Sequence, residues 1–313
     1  MTDNFGREIT YLRLSVTQRC QQRCVYCTKD EGGCIKQREL STSDFILIIR
    51  AAALCGIKKL RITGGEPLLR NDLADIIDAA AQTGKFEDIA LTTNAQLLAL
   101  RADELKKAGL KRVNISLDSL VPEKYAALTG SGDINSVFEG IRAAFKYGLT
   151  PVKLNTVLVR GVNDAEAESF AALAREYPID IRFIELMPMG EGGARGVATA
   201  QLLKRLAELE PVGGDTHAAA KMYTGKGYKG RVGFISPMSG AFCAQCTRLR
   251  ITADGFIRPC LARNDEYSLR AALDTGDVQA ICTELERAVS LKPAHGGFAE
   301  AFETNRGMNR IGG

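Results

Sequence analysis

The sequence predicts an α/β fold, a partial (β/α)6 barrel of the TIM type followed by a smaller C-terminal module, and three features of its 313 residues lead there. Apolar, β-prone runs alternate with stretches of helical period through six successive units, the pattern of a parallel sheet with helices outside it. The alternation stops near residue 210, and from Gly213 to Gly233 the chain is rich in glycine and lysine. Only short β-like pieces follow, at Gly233–Ser236, Leu249–Ala253 and Phe256–Arg258, so the division expected is 1–212 and 213–313.

The units run in order. The first strand is expected over Ile9–Val16, with its helix over Ser43–Leu54. Ile57–Thr63 precedes Asp72–Ala81, Asp88–Thr93 precedes Arg101–Ala108, and Arg112–Leu117 precedes Ile134–Tyr147. Val152–Val159 is followed by Ala165–Glu176, and Asp180–Leu186 by Val197–Leu209. Right-handed crossovers curl such a series into a barrel with its active site at the C-terminal strand ends. Pattern alone leaves an open doubly wound sheet as the alternative. In the second part, Ala253-Asp254-Gly255-Phe256 holds the Asp-Gly pair of a tight hairpin, a helix is expected near Asp277–Leu291, and the polar tail reads by composition as disordered.

Composition narrows the function. Hydrophobic residues make up 45% and charged residues 25%, ordinary for a globular chain with a large core. No run approaches the roughly 18 apolar residues of a membrane helix, and the first ten residues lack a signal-peptide run, so a cytoplasmic protein without a membrane partner is expected. The net charge of +4 is uneven: residues 221–263 hold eight Lys or Arg against the single acid Asp254, leaving −3 elsewhere. Such a segment suits a polyanion such as a nucleotide phosphate, or is simply a solvated face.

The nine cysteines carry the chemistry. Cys20, Cys24 and Cys27 form CxxxCxxC directly after the first strand, three thiols able to face one centre from one loop. Structural zinc takes four protein ligands, whereas a 4Fe-4S cluster with one free iron suits three. Cys243 and Cys246, with Cys260 beyond the predicted hairpin, again stop at three. Two open iron-sulfur clusters explain both trios more economically than two incomplete zinc sites, although Cys34 could complete the first as zinc. Cys55 and Cys282 lie alone in helical segments and read as small buried hydrophobes. His217 and His295 sit in polar surroundings and read as surface residues.

A CxxxCxxC loop with an aromatic before its last cysteine, followed by Thr63-Gly64-Gly65-Glu66-Pro67 at the end of the second strand, resembles the radical S-adenosylmethionine enzymes. Further segments resemble one family among them, the GTP 3′,8-cyclases of molybdenum cofactor biosynthesis. These are Arg13–Thr17, Arg61–Leu68, Leu91–Asn94, Arg112–Ser119, Val152–Asn155, Arg182–Gly190 and Phe242–Thr252, with the terminal Gly312-Gly313. There are departures: Thr28-Lys29 where the family has Met-Pro, Ala95 where a glycine follows TTN, Thr247 where an asparagine precedes RLR, and Cys34 outside the pattern.

The resemblance implies a role for each matching residue. Cys20, Cys24 and Cys27 would hold a 4Fe-4S cluster that binds and reductively splits S-adenosylmethionine, and Cys243, Cys246 and Cys260 a second cluster that binds the guanine of GTP. Tyr26, Gly65, Ser116 and Met187 match cofactor-binding positions; taken alone, Tyr26 and Met187 read as core packing. Arg13, Arg61, Thr92, Lys153, Arg248, Leu249 and Arg250 match GTP-contacting positions. Arg248 and Arg250, two apart on a strand, would share a face and grip one triphosphate, with Leu249 offering only backbone. Gly312 and Gly313, with Arg306 and Arg310, would enter the site and assist turnover. The implied partners are GTP, an external electron donor and the next enzyme of the pathway as product acceptor, with dimers common among such enzymes. Two other readings stand beside this: a two-cluster radical enzyme acting on a peptide or another small molecule, and a zinc-ribbon protein binding nucleic acid. The basic segment lacks the aromatic interleaving of single-strand binders, which sets nucleic acid aside as a partner.

Overall fold

Strand β1 (Tyr11–Ser15) shows how the whole sheet is written. Leu12 and Leu14 are buried under the helices, while Tyr11 and Arg13, one residue out of phase, line a cavity on the other face. The computed structural model describes residues 1–27, 38–188, 195–213, 217–240, 242–297 and 306–312. Cys34 and Gly313, singled out from the sequence, lie outside the described residues.

The chain continues through α1 (Thr42–Leu54), β2 (Lys59–Thr63), α2 (Leu73–Gln82), β3 (Asp88–Thr93), α3 (Leu98–Lys107) and β4 (Arg112–Ser116). Then come α4 (Pro122–Thr129), α5 (Ile134–Lys146), β5 (Val152–Val157), α6 (Ala167–Glu176), β6 (Ile179–Ile184) and α7 (Thr199–Arg205). Local chemistry starts the helices: Ser41 and Asp44 form a reciprocal capping box on α1, and the Asp133 carboxylate accepts from the Asn135 and Ser136 amides at the start of α5. Strands β1 to β6 pair in sequence order, each parallel to the next. The order never reverses, so the sheet is wound in one sense as a barrel is, and the doubly wound alternative falls away.

The second part is β7 (Glu210–Pro211), β8 (Lys221–Thr224), β9 (Arg231–Ile235), β10 (Arg248–Ile251), β11 (Phe256–Arg258), β12 (Tyr267–Ser268), α8 (Arg270–Asp274), α9 (Val278–Ser290) and α10 (Met308–Ile311). Its strands extend both edges of the same sheet. Strand β9 adds parallel to β6, with β8 and β7 antiparallel beyond it. On the other edge β10 adds parallel to β1, with β11 and β12 beyond it. The Asp-Gly hairpin joins β10 to β11, with Gly255 at φ 85°. Residues 306–312 of the tail lie against the rest of the chain, with Gly312 O accepting from Arg250 Nη1 and Arg306 paired with Asp254.

Helix α4 was not legible in the sequence and it bears on the site. Its last carbonyls, of Leu128 and Thr129, accept from the amides of Val25 (3.1 Å) and Arg23 (2.8 Å), and the Tyr125 hydroxyl accepts from Gln22 Nε2 (3.1 Å). The helix therefore props the loop that carries Cys20, Cys24 and Cys27. Among the described residues, no helix is long and apolar enough to cross a membrane.

Candidate active site

The inward face of the barrel is polar, and it encloses a cavity of about 1160 Å3. At the C-terminal strand ends Cys20, Cys24 and Cys27 all reach its wall. Cys27 N donates to Cys24 O at 2.9 Å, closing the loop into a turn. Burial pushes the Cys27 thiol up to about 12, with Cys20 adding to it, and raises Cys24 as well, with Asp118 next in effect. Bare thiolates are thus disfavoured there, and a cationic centre shared by the three would relieve both burial and mutual repulsion. The described cysteines form no disulfides, and no three His, Cys, Asp or Glu side chains among the described residues group as the ligands of a single ion.

Beside this loop lies the Thr63–Pro67 turn. A Cβ on Gly65 would stand 2.3 Å from Arg19 O, and one on Gly64 2.7 Å from Thr17 O. The glycines let the turn approach the loop backbone, and Gly65 N and Glu66 N each donate to it at 2.7 Å. The Glu66 carboxylate then accepts from Asn94 N (2.7 Å), Leu68 N (3.0 Å) and Thr93 Oγ1 (2.7 Å). Ala95, at the departure from the family pattern, holds φ 61°, a conformation that suits glycine better. Gly65, Ser116 and Met187 are on the cavity wall, as is Tyr26, whose hydroxyl donates to Asp118.

Deeper in the barrel are the cations. Arg13 pairs in register with Arg61 on one side and Arg250 on the other, and Arg61, Lys153, Arg248 and Arg250 all reach the cavity with Thr92. Burial and the neighbouring cations lower the charging of Arg13, Arg61, Lys153 and Arg250: Lys153 comes down to about 8 with Arg112 beside it, and Arg250 to about 10 with Arg248 beside it. Tyr11 shows the same field. Burial alone would raise its phenol, yet Arg61, Arg13 and Arg248 hold it below its ordinary value. Among the described residues, buried Arg61 Nε, Thr92 Oγ1 and Tyr11 OH have no hydrogen-bond partner, nor do Arg182 Nε and Asn155 Oδ1. A wall of mutually repelling cations and unsatisfied polar atoms is built for a large anion.

The comparisons with known proteins agree with this layout. Residues 14–174 match the model of the radical SAM superfamily, and residues 179–298 the model described as Molybdenum Cofactor Synthesis C. A GTP 3′,8-cyclase of Moorella thermoacetica is 45% identical, and one of Clostridium botulinum strain Langeland 41%, each aligned over 100% of both chains. The chain belongs to the GTP 3′,8-cyclase family. Among solved structures, Streptococcus suis SuiB bound to S-adenosylmethionine shares the fold, with a TM-score of 0.61 at 14% identity over 87% of this chain and 65% of SuiB.

The second thiol trio packs behind the cation wall. Cys243, Cys246 and Cys260 line a cavity of about 70 Å3, whose boundary with the large one is made by Pro237, Phe242, Arg248, Arg250 and Leu261. Arg248 lies over the Phe242 and Tyr11 rings at 4.7 and 5.7 Å. Leu249, by contrast, points into the core, and its backbone pairs with Leu12. Gly312 sits within the barrel: its carbonyl accepts from Arg250 Nη1 at 2.6 Å and from Arg13 Nε at 3.3 Å, and a Cβ there would be 2.5 Å from Thr63 Oγ1. Arg306 and Arg310 are not on the cavity wall. Arg306 is bound instead by Asp254 at 2.8 Å and Glu266 at 2.7 Å, which ties the tail to the β10–β11 hairpin.

Several wall residues were missed by sequence reasoning. Tyr11, Asn155 and Arg182 each stand at an inward position of a strand, and Arg182 Nη2 donates to Asn114 Oδ1 at 2.6 Å. Counting by two from Arg13 and Lys153 would have found Tyr11 and Asn155. Asp118 has no such signal: it follows the end of β4, accepts from Val157 N at 2.8 Å, and is pushed up to about 6 by burial.

Proposed function

We propose that this protein is a lyase that converts GTP to 3′,8-cyclo-7,8-dihydro-GTP in molybdenum cofactor biosynthesis. One observation carries the reading: a thiol trio, a cation-rich wall and a second thiol trio follow one another along and behind a single cavity. Residues 1–212 hold the first part of this array and residues 213–313 the second. Cys20, Cys24 and Cys27 would hold one 4Fe-4S cluster, and Cys243, Cys246 and Cys260 another. With S-adenosylmethionine bound and one electron from an external donor, the group held by Cys20, Cys24 and Cys27 would supply radical chemistry able to take hydrogen from an unactivated carbon.

The protein's own share is positioning. Arg13, Arg61, Lys153, Arg248 and Arg250 grip the triphosphate, with Thr92 and Tyr11 as further polar contacts. This places the ribose between the cation wall and the loop at the strand ends. Tyr26, fixed by Asp118, with Gly65, Ser116 and Met187, shapes the cofactor's place at that loop. Gly312 rests on Arg250 and Arg13, and Gly313, Arg306 and Arg310 anchor and extend this tail beside the substrate. The enzyme works in the cytoplasm with an external electron donor, as a dimer, and passes its product to the next enzyme of the pathway.

The test uses reconstituted protein under anaerobic conditions with S-adenosylmethionine, a reductant and GTP deuterated at the ribose 3′ carbon. Deuterium in 5′-deoxyadenosine together with a new isomer of GTP is the expected result by mass spectrometry. Unlabelled 5′-deoxyadenosine formed regardless of GTP would favour another substrate. GTP affinity should also fall as pH rises through about 8, because Lys153, lowered by burial, loses its charge there while the triphosphate keeps its own. Lys153→Met should weaken binding at neutral pH and remove that step from an affinity-against-pH profile.

A further inference from the structure

Lys292, just past the end of α9, is buried at 4% exposure and faces the small cavity that the second thiol trio lines. Its ammonium donates to Arg248 O at 2.8 Å and to Pro259 O. Arg248 lies two residues past Cys246, and Pro259 immediately precedes Cys260, so one side chain ties the two segments that carry these thiols. Of the other cations on this wall, Arg248 and Arg250 stand on its boundary with the large cavity, and Arg7 is differently placed. It holds the third segment by donating from Nη1 to Cys243 O at 2.8 Å, but its charge is matched by Asp3 at 2.6 Å. Among the described residues, no carboxylate lies within ion-pair distance of Lys292, and no acid lines this cavity. Buried ammonium groups are costly unless matched by negative charge. Here the only groups able to supply that charge on the cavity wall are the three cysteines, and Gly296 N adds a donor to Cys243 Sγ at 3.3 Å.

We infer that Lys292 is a positioning residue of the second trio, aligning Cys246 and Cys260 and supplying an uncompensated positive charge that stabilises an anionic thiolate-bound cluster there. This rests on the assignment of a cluster to Cys243, Cys246 and Cys260. A cation at that distance favours the state with one more negative charge, so it raises the ease of reduction. Arg7 and Gly296 shape the same pocket without adding net charge; Arg248 and Arg250 also reach it, but Arg248 lies over the Phe242 and Tyr11 rings and Arg250 donates to Gly312 O, whereas the Lys292 ammonium bonds the segments that carry Cys246 and Cys260.

The test is made on the full chain with Cys20, Cys24 and Cys27 changed to Ala, reconstituted with iron and sulfide, so that only the second trio can hold a cluster. Iron content and a reductive titration followed by electron paramagnetic resonance are the readouts. Lys292→Gln keeps a donor for the two carbonyls but removes the charge. It should retain the cluster and shift the reduction equilibrium at least tenfold against the reduced form, about 59 mV for one electron. An unchanged midpoint with full iron would overturn the inference. If Lys292→Gln loses iron, Lys292→Arg decides: iron regained supports the charge, and iron absent from both shows a packing role and refutes it. Absence of iron before any change at Lys292 would instead refute the cluster assignment, and the inference with it.

Discussion

Cys24→Ala should abolish S-adenosylmethionine cleavage, with 5′-deoxyadenosine falling to the level of a protein-free control. The three thiols of this loop reach one wall of the cavity, and with Cys24 removed only two remain to hold a cluster that already lacks a fourth protein ligand. The fold should survive. Cys24 is only half-buried, and the loop is held mainly by main-chain bonds from Arg23 and Val25 to the end of α4. Thermal unfolding of the apo-protein should therefore change little while cleavage disappears, and retained cleavage would refute the assignment of this trio. Cys243→Ala offers a contrast, since its trio lies behind the cation wall: iron should fall by about half while the first loop keeps its own.

Replacing Arg248 and Arg250 together with Ala should weaken GTP binding by about three orders of magnitude. Truncating one side of a buried, charge-assisted contact costs roughly 2–5 kcal/mol, and a combined loss of about 4 kcal/mol corresponds to about 1000-fold in Kd. Both guanidiniums face the cavity from β10, and neither has a carboxylate partner among the described ion pairs. Anaerobic equilibrium dialysis with GTP would measure the loss. Because Arg250 also holds the Gly312 carbonyl, the single change Arg248→Ala separates the two contributions: it removes a cation and leaves the tail anchored. Unchanged affinity in the double variant would remove the triphosphate from this wall. The same logic explains why lysine charging matters at Lys153, where burial and Arg112 have already brought the ammonium close to neutrality near pH 8.

Much of this site was legible in the sequence because its signals are local. Three cysteines within eight residues share a loop whatever surrounds them, and alternation along β1, β2 and β5 puts Arg13, Arg61 and Lys153 on one face of a sheet. The two glycines before Glu66 announce a close approach, and the structure supplies its partner in the Thr17–Arg19 backbone. Less local features were hidden. Helix α4 depends on packing that its short sequence does not advertise, and Asp118 gains its role only by meeting Tyr26 across 92 residues. Arg306 illustrates the limit from the other side: its place in the tail suggested the reaction site, yet Asp254 and Glu266 claim its guanidinium.

By itself, then, the sequence determined the barrel units, the two thiol trios and the cationic residues, since spacing and period set which side chains share a loop or a strand face. Tertiary structure alone decided that β10 pairs parallel with β1, which sets Arg250 beside Arg13 although 237 positions separate them. It also decided that the sheet keeps one winding sense, that Gly312 lies on those two arginines, and that the unpaired charge of Lys292 stands behind the second trio. The physical reason is the same in each case: pairing between distant strands and burial of a lone charge depend on what the rest of the chain brings alongside, and no local period records that.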